Sequence, residues 1–363
     1  MKVTYAHMGT SAMVFDKILE GLGHEVIRPP KPTKKTLSLG VRYAPEFACI
    51  PFKIVLGTYL ETVPKGAEVI VSGGGKGPCR AGYYGEMHQR ILKNLGYDVD
   101  MVFFFPPLKE PVDFFKKVVF LKGKSSWYHF FKVLRINWER LKALDDLELA
   151  AFKMRPLELK QGDVTCSLKK GLKYLDEART IKEVHEARKA ALEEIARVPY
   201  NPEREVLKVG IIGEIYVQLE PFANFDIEET LGNMGVEARR SIFLTQYTRE
   251  DVLANGSKSV AKTAAPYLNL KIGGHGQNSI GETIRYAEAN YDGVIQLAPF
   301  TCIPEIVAKS IMPKLSRDIG IPVLTFFIDE QTGKTGVETR LEAFVDLMWQ
   351  KKKQGNKITG YAV

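Results

Sequence analysis

Residues 67–95 read AEVIVSGGGKGPCRAGYYGEMHQRILKNL. Ala67–Ser72 is a continuous apolar run, the pattern of a parallel strand covered on both faces. A run of glycines follows. Cys79 then leads into a stretch with helical apolar spacing over about Gly82–Leu95. Strand, glycine loop and helix form the unit of an open parallel sheet, because a parallel return to the same sheet requires a crossover.

The same alternation extends outward. Lys2–Ala6 predicts a strand, the loop HMGTS leads into the helical stretch MVFDKILEGLG, and HEVIRPP predicts a short strand. On the other side VDMVFFF predicts another strand. From Pro111 to Val198 the pattern is helical, with heptad-like apolar spacing and few glycines. Pro199, the Asn201-Pro202 pair and the charged run PEREVLK mark its end. A second α/β stretch starts at Val206: LKVGIIGEIYV reads as a strand, Asp226–Gly235 as a helix and YDGVIQLA as a strand. A helix from Pro304, the strand PVLTFFID, a loop and a last helix complete it. The expected fold is α/β: lobes with parallel sheets over 1–110 and 206–363, joined by a helical section over 111–205.

The chain has 363 residues, 45% hydrophobic and 26% charged, a composition that excludes disordered and fibrous classes. The N-terminus lacks the unbroken apolar core of a signal peptide, and the most apolar short stretch, Val102–Pro107, is too brief to span a bilayer. A cytoplasmic, reducing location is expected, with no membrane as partner. The net charge is +8, and residues 111–200 hold 19 basic against 13 acidic side chains. Interleaving with acids along expected helices describes solvated faces, so nucleic acid is not an expected partner; an acidic protein or an anionic substrate fits the charge equally well.

Four cysteines occur, Cys49, Cys79, Cys166 and Cys302, too few for a disulfide framework and without a C-x-x-C pair. Cys49-Ile50-Pro51 and Cys302-Ile303-Pro304 each open an apolar helix, proline near the first turn being a start signal. Cys79 also precedes a helix. Helix N-termini lower thiol pKa and favour thiolates or anionic clusters. Separations of 30 and 223 residues match no linear metal motif. Two readings stay open: convergence of Cys49, Cys79 and Cys302 as a three-thiolate iron–sulfur site, or three small buried hydrophobes. Cys166, in the polar helical stretch QGDVTCSLKKGLKYL, reads as structural.

Gly74, Gly75, Lys76 and Gly77 allow close backbone approach to a bulky group, but Pro78 and Cys79 stand where an ATP-binding P-loop needs Lys and Ser/Thr. A second glycine loop, IGGHGQNSIGET, offers His275 as a donor to a cofactor. The last loop, FIDEQTGKTGVETRLEAF, concentrates Asp329, Glu330, Thr335, Glu338, Thr339 and Arg340, with Glu330 a candidate acid/base or oxygen ligand. His24, His88, His129 and His185 carry no signal. HMGTS lacks G-x-G-x-x-G, which argues against a dinucleotide-binding oxidoreductase.

FACIPFKIVLG, SGGGKGPCRAGYYGE, VGIIGEIYV, GHGQNSIGE, LAPFTCIPEIVAKSIMPKLSRDIGIPVL and DEQTGKTGVETRLEAFVDL together resemble the 2-hydroxyacyl-CoA dehydratase/benzoyl-CoA reductase superfamily, in its stand-alone, activase-related branch (CoA protein activase). The resemblance implies two Rossmann-like lobes with an iron–sulfur cluster at their junction, held by Cys49, Cys79 and Cys302. It implies single electrons received at low potential from a separate ATP-dependent activator protein that carries its own cluster. Relatives pair two different subunits, or form a homodimer around a double-cubane cluster, so a [4Fe-4S] or double-cubane cluster fits. The implied activity is reduction or radical dehydration of an acyl-CoA or a small molecule. The alternative is a non-catalytic cluster-binding scaffold or maturation factor.

Overall fold

The computed structural model describes residues 1–74, 79–104, 110–253 and 258–354. Within these, eight strands form two four-stranded sheets that are parallel throughout. The first contains β1 (Lys2–Tyr5), β2 (Glu25–Val26), β3 (Val69–Gly73) and β4 (Asp100–Phe104) in the order β2-β1-β3-β4. The second contains β5 (Leu207–Gly213), β6 (Val236–Arg240), β7 (Gly293–Pro299) and β8 (Val323–Ile328) in the order β6-β5-β7-β8. The two orders are the same topology, consistent with a pair of Rossmann-like lobes.

Helices α1 (Ala12–Gly21), α2 (Lys34–Tyr43), α3 (Ile50–Thr62), α4 (Ala81–Asn94), α5 (Pro111–Lys122), α6 (Trp127–Met154), α7 (Asp163–Glu177) and α8 (Ile181–Ala196) accompany or follow the first sheet. The short α9 (Ile215–Leu219), α10 (Pro221–Asn224), α11 (Ile227–Asn233) and α12 (Leu244–Tyr247) come next. They are followed by α13 (Lys258–Ala264), α14 (Gly276–Glu288), α15 (Ile303–Ile319) and α16 (Lys334–Lys353). Residues Met1–Lys142 with Leu244–Ser257 form one compact unit, and Ala143–Phe243 with Lys258–Val363 form another. Among the described residues no helix is long and apolar enough to cross a membrane.

β3 shows why an unbroken apolar run marks a central strand. Val69 packs with Val3, Tyr5, Leu19 and Val102, while its neighbour Ile70 packs with Phe52, Leu56, Tyr59 and Leu92. Successive side chains face opposite sides, and both sides are covered. In α3, eleven of thirteen residues are buried, so it is wrapped by protein rather than amphipathic. A Cβ at Gly40 of α2 would meet the carbonyl oxygen of Lys53, and one at Gly57 of α3 the carbonyl oxygen of Thr36. These glycines let two helix backbones touch. In the second unit Gly281 of α14 takes the same role against the Val260 backbone of α13.

Several boundaries differ from the sequence reading. The strand expected over LKVGIIGEIYV ends at Gly213, where Glu214 caps α9 by accepting from the Val217 amide at 3.0 Å. β6 and α2 were not expected. β6 reads VEARR, with charged residues and a buried arginine, because it is a sheet edge whose inward row is Val236, Ala238 and Arg240. α16 begins at Lys334, so Thr335, Glu338, Thr339 and Arg340 lie on a helix, not in the last loop.

Candidate functional site

A strand order of 2-1-3-4 sends the connections after the first and third strands in opposite directions, leaving a crevice at their carboxyl ends where open α/β sheets take ligands. In the first unit the connection after β3 carries Gly74, whose amide donates to Phe104 O at 2.9 Å, and then Cys79. Gly75, Lys76, Gly77 and Pro78 lie outside the described residues. Cys79 is half-buried and precedes Arg80, the N-cap of α4. Cys49 is buried and is itself the N-cap of α3, with Pro51 in the first turn.

Two contacts hold the cysteine-bearing segments of this unit side by side. The Tyr84 hydroxyl, in the first turn of α4, meets Cys49 Sγ. The Arg80 guanidinium donates to Phe47 O at 2.9 Å. Beneath them lies an aromatic floor: Phe52 is 4.9 Å from Tyr84 and 4.1 Å from His88 by ring centroids, and Tyr59 is 5.4 Å from His88. Burial pulls the His88 imidazole down to about 3, so it is neutral, with Nε2 on Phe52 O at 3.2 Å. His88 was missed in sequence. Its signal was the spacing Tyr84–His88, i and i+4 on one face of α4.

In the second unit Cys302 takes the place that Cys79 takes in the first, directly after the third strand of the topology. It is buried, it N-caps α15, and its amide donates to Pro299 O at 2.9 Å. Between strand and cysteine Thr301 has φ 68°, an outlier for a β-branched residue and a strained turn of the kind found at functional sites. Cys49 matches a different position. The repeated Cys-Ile-Pro triplet suggests that Cys49 and Cys302 are counterparts, yet the helix before the third strand in the second unit is α14, and its N-cap is His275.

One turn beyond Cys302 is a buried polar network. Glu305, 0% exposed, accepts from Ser279 Oγ at 3.0 Å and from Gln296 Nε2 at 2.8 Å, and Thr325 Oγ1 donates to Gln296 Oε1 at 3.0 Å. Burial pushes the Glu305 carboxyl up to about 7, with Glu214 adding to the rise. Burial also raises the Glu214 carboxyl to about 7. A Cβ at Gly276 would strike the Pro304 carbonyl, so the starts of α14 and α15 are packed backbone to backbone. Burial lowers the His275 imidazole to about 4, leaving it neutral at physiological pH.

The remaining candidates separate. Asp329 accepts from the Gln331 amide at 3.0 Å and from Thr332 Oγ1 at 2.8 Å, building the turn after β8. Glu330 is half-buried on that turn. Arg340 donates to Thr325 O at 2.7 Å and lies 4.5 Å over the Phe326 ring, tying α16 to β8. Cys166 is exposed on α7. Among the described residues no group of three or more His, Cys, Asp or Glu is gathered closely enough to hold a metal ion. Within the first unit, Cys49 and Cys79 each stand at the start of a helix, where backbone amide dipoles favour thiolates. Compared with known proteins, the chain matches no family model and no curated sequence.

Proposed function

We propose that the chain is an iron–sulfur protein of the 2-hydroxyacyl-CoA dehydratase/benzoyl-CoA reductase type. It accepts low-potential electrons from an ATP-dependent activator and uses them for reduction or radical dehydration of an acyl-CoA or small molecule. The observation that carries this reading is positional. Cys79 and Cys302 follow the third strand of two sheets of the same topology, and Cys49 N-caps the helix beside Cys79. Cys79 and Cys302 stand at equivalent carboxyl-edge turns, a placement that packing alone does not require.

The ligands proposed are Cys49, Cys79 and Cys302; the cluster is [4Fe-4S] or a double cubane shared in a homodimer. Bound there, it supplies one-electron chemistry. The chain's own contribution is to hold thiolates at helix starts, where amide dipoles stabilise negative charge. Tyr84 fixes the Cys49 thiol, and the apolar floor of Phe52, Tyr59 and neutral His88 excludes water from its inner side.

Anaerobic purification with iron and sulfide analysis tests the reading. Cys49→Ser, Cys79→Ser and Cys302→Ser are each expected to lose iron, whereas Cys166→Ser retains it. A wild-type chain that stays colourless and iron-free after anaerobic reconstitution sinks the proposal. Turnover of acyl-CoA substrates with reduced activator and ATP separates an enzyme from a scaffold.

A further inference from the structure

The hairpin of α5 and α6 has two unlike faces. Inward, Phe130 and Val133 are buried against Leu22 at the end of α1, with Val118 packed alongside, and Leu121 is buried as well. Outward, Val112, Phe115 and Val119 recur at i, i+3 and i+7 on α5 and are exposed, as are Trp127, Tyr128 and Phe131 on α6. Tyr128 is 81% exposed and Phe131 60%. These side chains form one surface: Phe115 stacks on Trp127 at 5.8 Å, and Trp127 lies 6.1 Å from Phe131. Exposed aromatic rings in mutual contact on one face point to a contact site rather than scattered surface residues.

Charge selects the occupant. Residues 111–135 contain six basic side chains and one acidic, Asp113, which pairs with Lys117. Lys116, Lys124, Lys132 and Arg135 are exposed, and Lys122 lies 5.2 Å over the Trp127 ring. A second copy meeting this face symmetrically would bring like charges together. Protein interfaces favour arginine and are depleted in lysine, whereas five of these six cations are lysines. Exposed Trp, Tyr and Phe flanked by lysines are instead the make-up of a surface that rests in a lipid headgroup layer.

We propose that the outer face of the α5–α6 hairpin docks on an anionic lipid surface, with its aromatic rings at headgroup depth and its lysines on headgroup charge. No spanning helix is required. The proposal is independent of the cysteines.

Sedimentation of the full chain with vesicles of phosphatidylcholine alone, and of phosphatidylcholine mixed with phosphatidylglycerol, tests it. Binding is expected only to the mixed vesicles, weakening as salt is raised. Each of Lys116→Gln, Lys124→Gln and Lys132→Gln is expected to weaken partitioning about fivefold. Tyr128→Ser with Phe131→Ser is expected to abolish it while thermal unfolding stays unchanged, because both side chains are exposed. Vesicle binding should also shift tryptophan emission to the blue in wild type and much less in Trp127→Phe. Equal failure to bind both vesicles overturns the proposal. So does binding that survives the double variant, and so does a solution dimer broken by it, which would assign the face to a second copy.

Discussion

Arg240 shows how one residue reports its surroundings. It is 6% exposed, pairs with Glu148 and with Glu228 at 3.3 Å, and lies between Phe152 and Phe243. Burial alone would lower its pKa, but Glu148, Glu228 and Asp145 hold it charged. Arg240→Ala removes a buried counter-ion from Glu148 and Glu228, and a loss of about 3–5 kcal/mol in denaturant unfolding is expected. Glu305 is the opposite case, a buried carboxyl met by neutral donors. Its folded pKa of about 7 stands above its ordinary 4.5, so the folded state keeps a proton that the unfolded chain releases between those values. The stability it contributes is full below about pH 4.5 and falls as pH rises to about 7, by at most about 1.4 kcal/mol per pH unit. Glu305→Gln cannot ionise and preserves the shape. Urea midpoints should therefore favour the variant progressively from about pH 5 to about pH 8, and parallel profiles would contradict the assignment.

Among elements, the α2–α3 pair controls where Cys49 stands. Both glycines at the crossing sit where a methyl group would overlap a carbonyl of the facing helix. Backbone cannot yield as a flexible side chain can. Gly57→Ala is expected to cost about 3 kcal/mol in chemical denaturation and, by shifting the start of α3, to reduce iron uptake. A substitution at Gly96, which has open space but φ 85°, tests strain without overlap and should leave iron uptake intact. The sequence shows this pair only in part. The apolar run of α3 is legible, but the inward row of α2, KKTLSLGVRY, mixes Thr36 and Gly40 with Leu39 and Tyr43, and the helix is held by a Thr33–Thr36 capping box and by contact with α3. β6 escaped for the same reason: an edge strand with one buried row carries little apolar signal.

For the whole molecule, the central strands β1, β3, β5 and β7 are readable from local sequence because burial on both faces demands continuous apolar runs, and the edge strands β4 and β8 carry apolar runs of their own. Helix starts at Cys49 and Cys302 are readable because proline tolerates the first turn and little else in a helix. The α/β class and the three-plus-one division of the cysteines were therefore determined by local chemistry alone. Tertiary structure decided the correspondences. Strand order makes Cys302 the counterpart of Cys79 and His275 the counterpart of Cys49, against the repeated Cys-Ile-Pro triplet. It also turned His88, read in sequence as carrying no signal, and Glu305, which the sequence reading did not single out, into buried groups with displaced pKa values. The physical reason is range. Strand and helix signals arise from neighbours a few residues apart, whereas sheet order, helix contact and the desolvation of a single side chain depend on segments tens to hundreds of residues away.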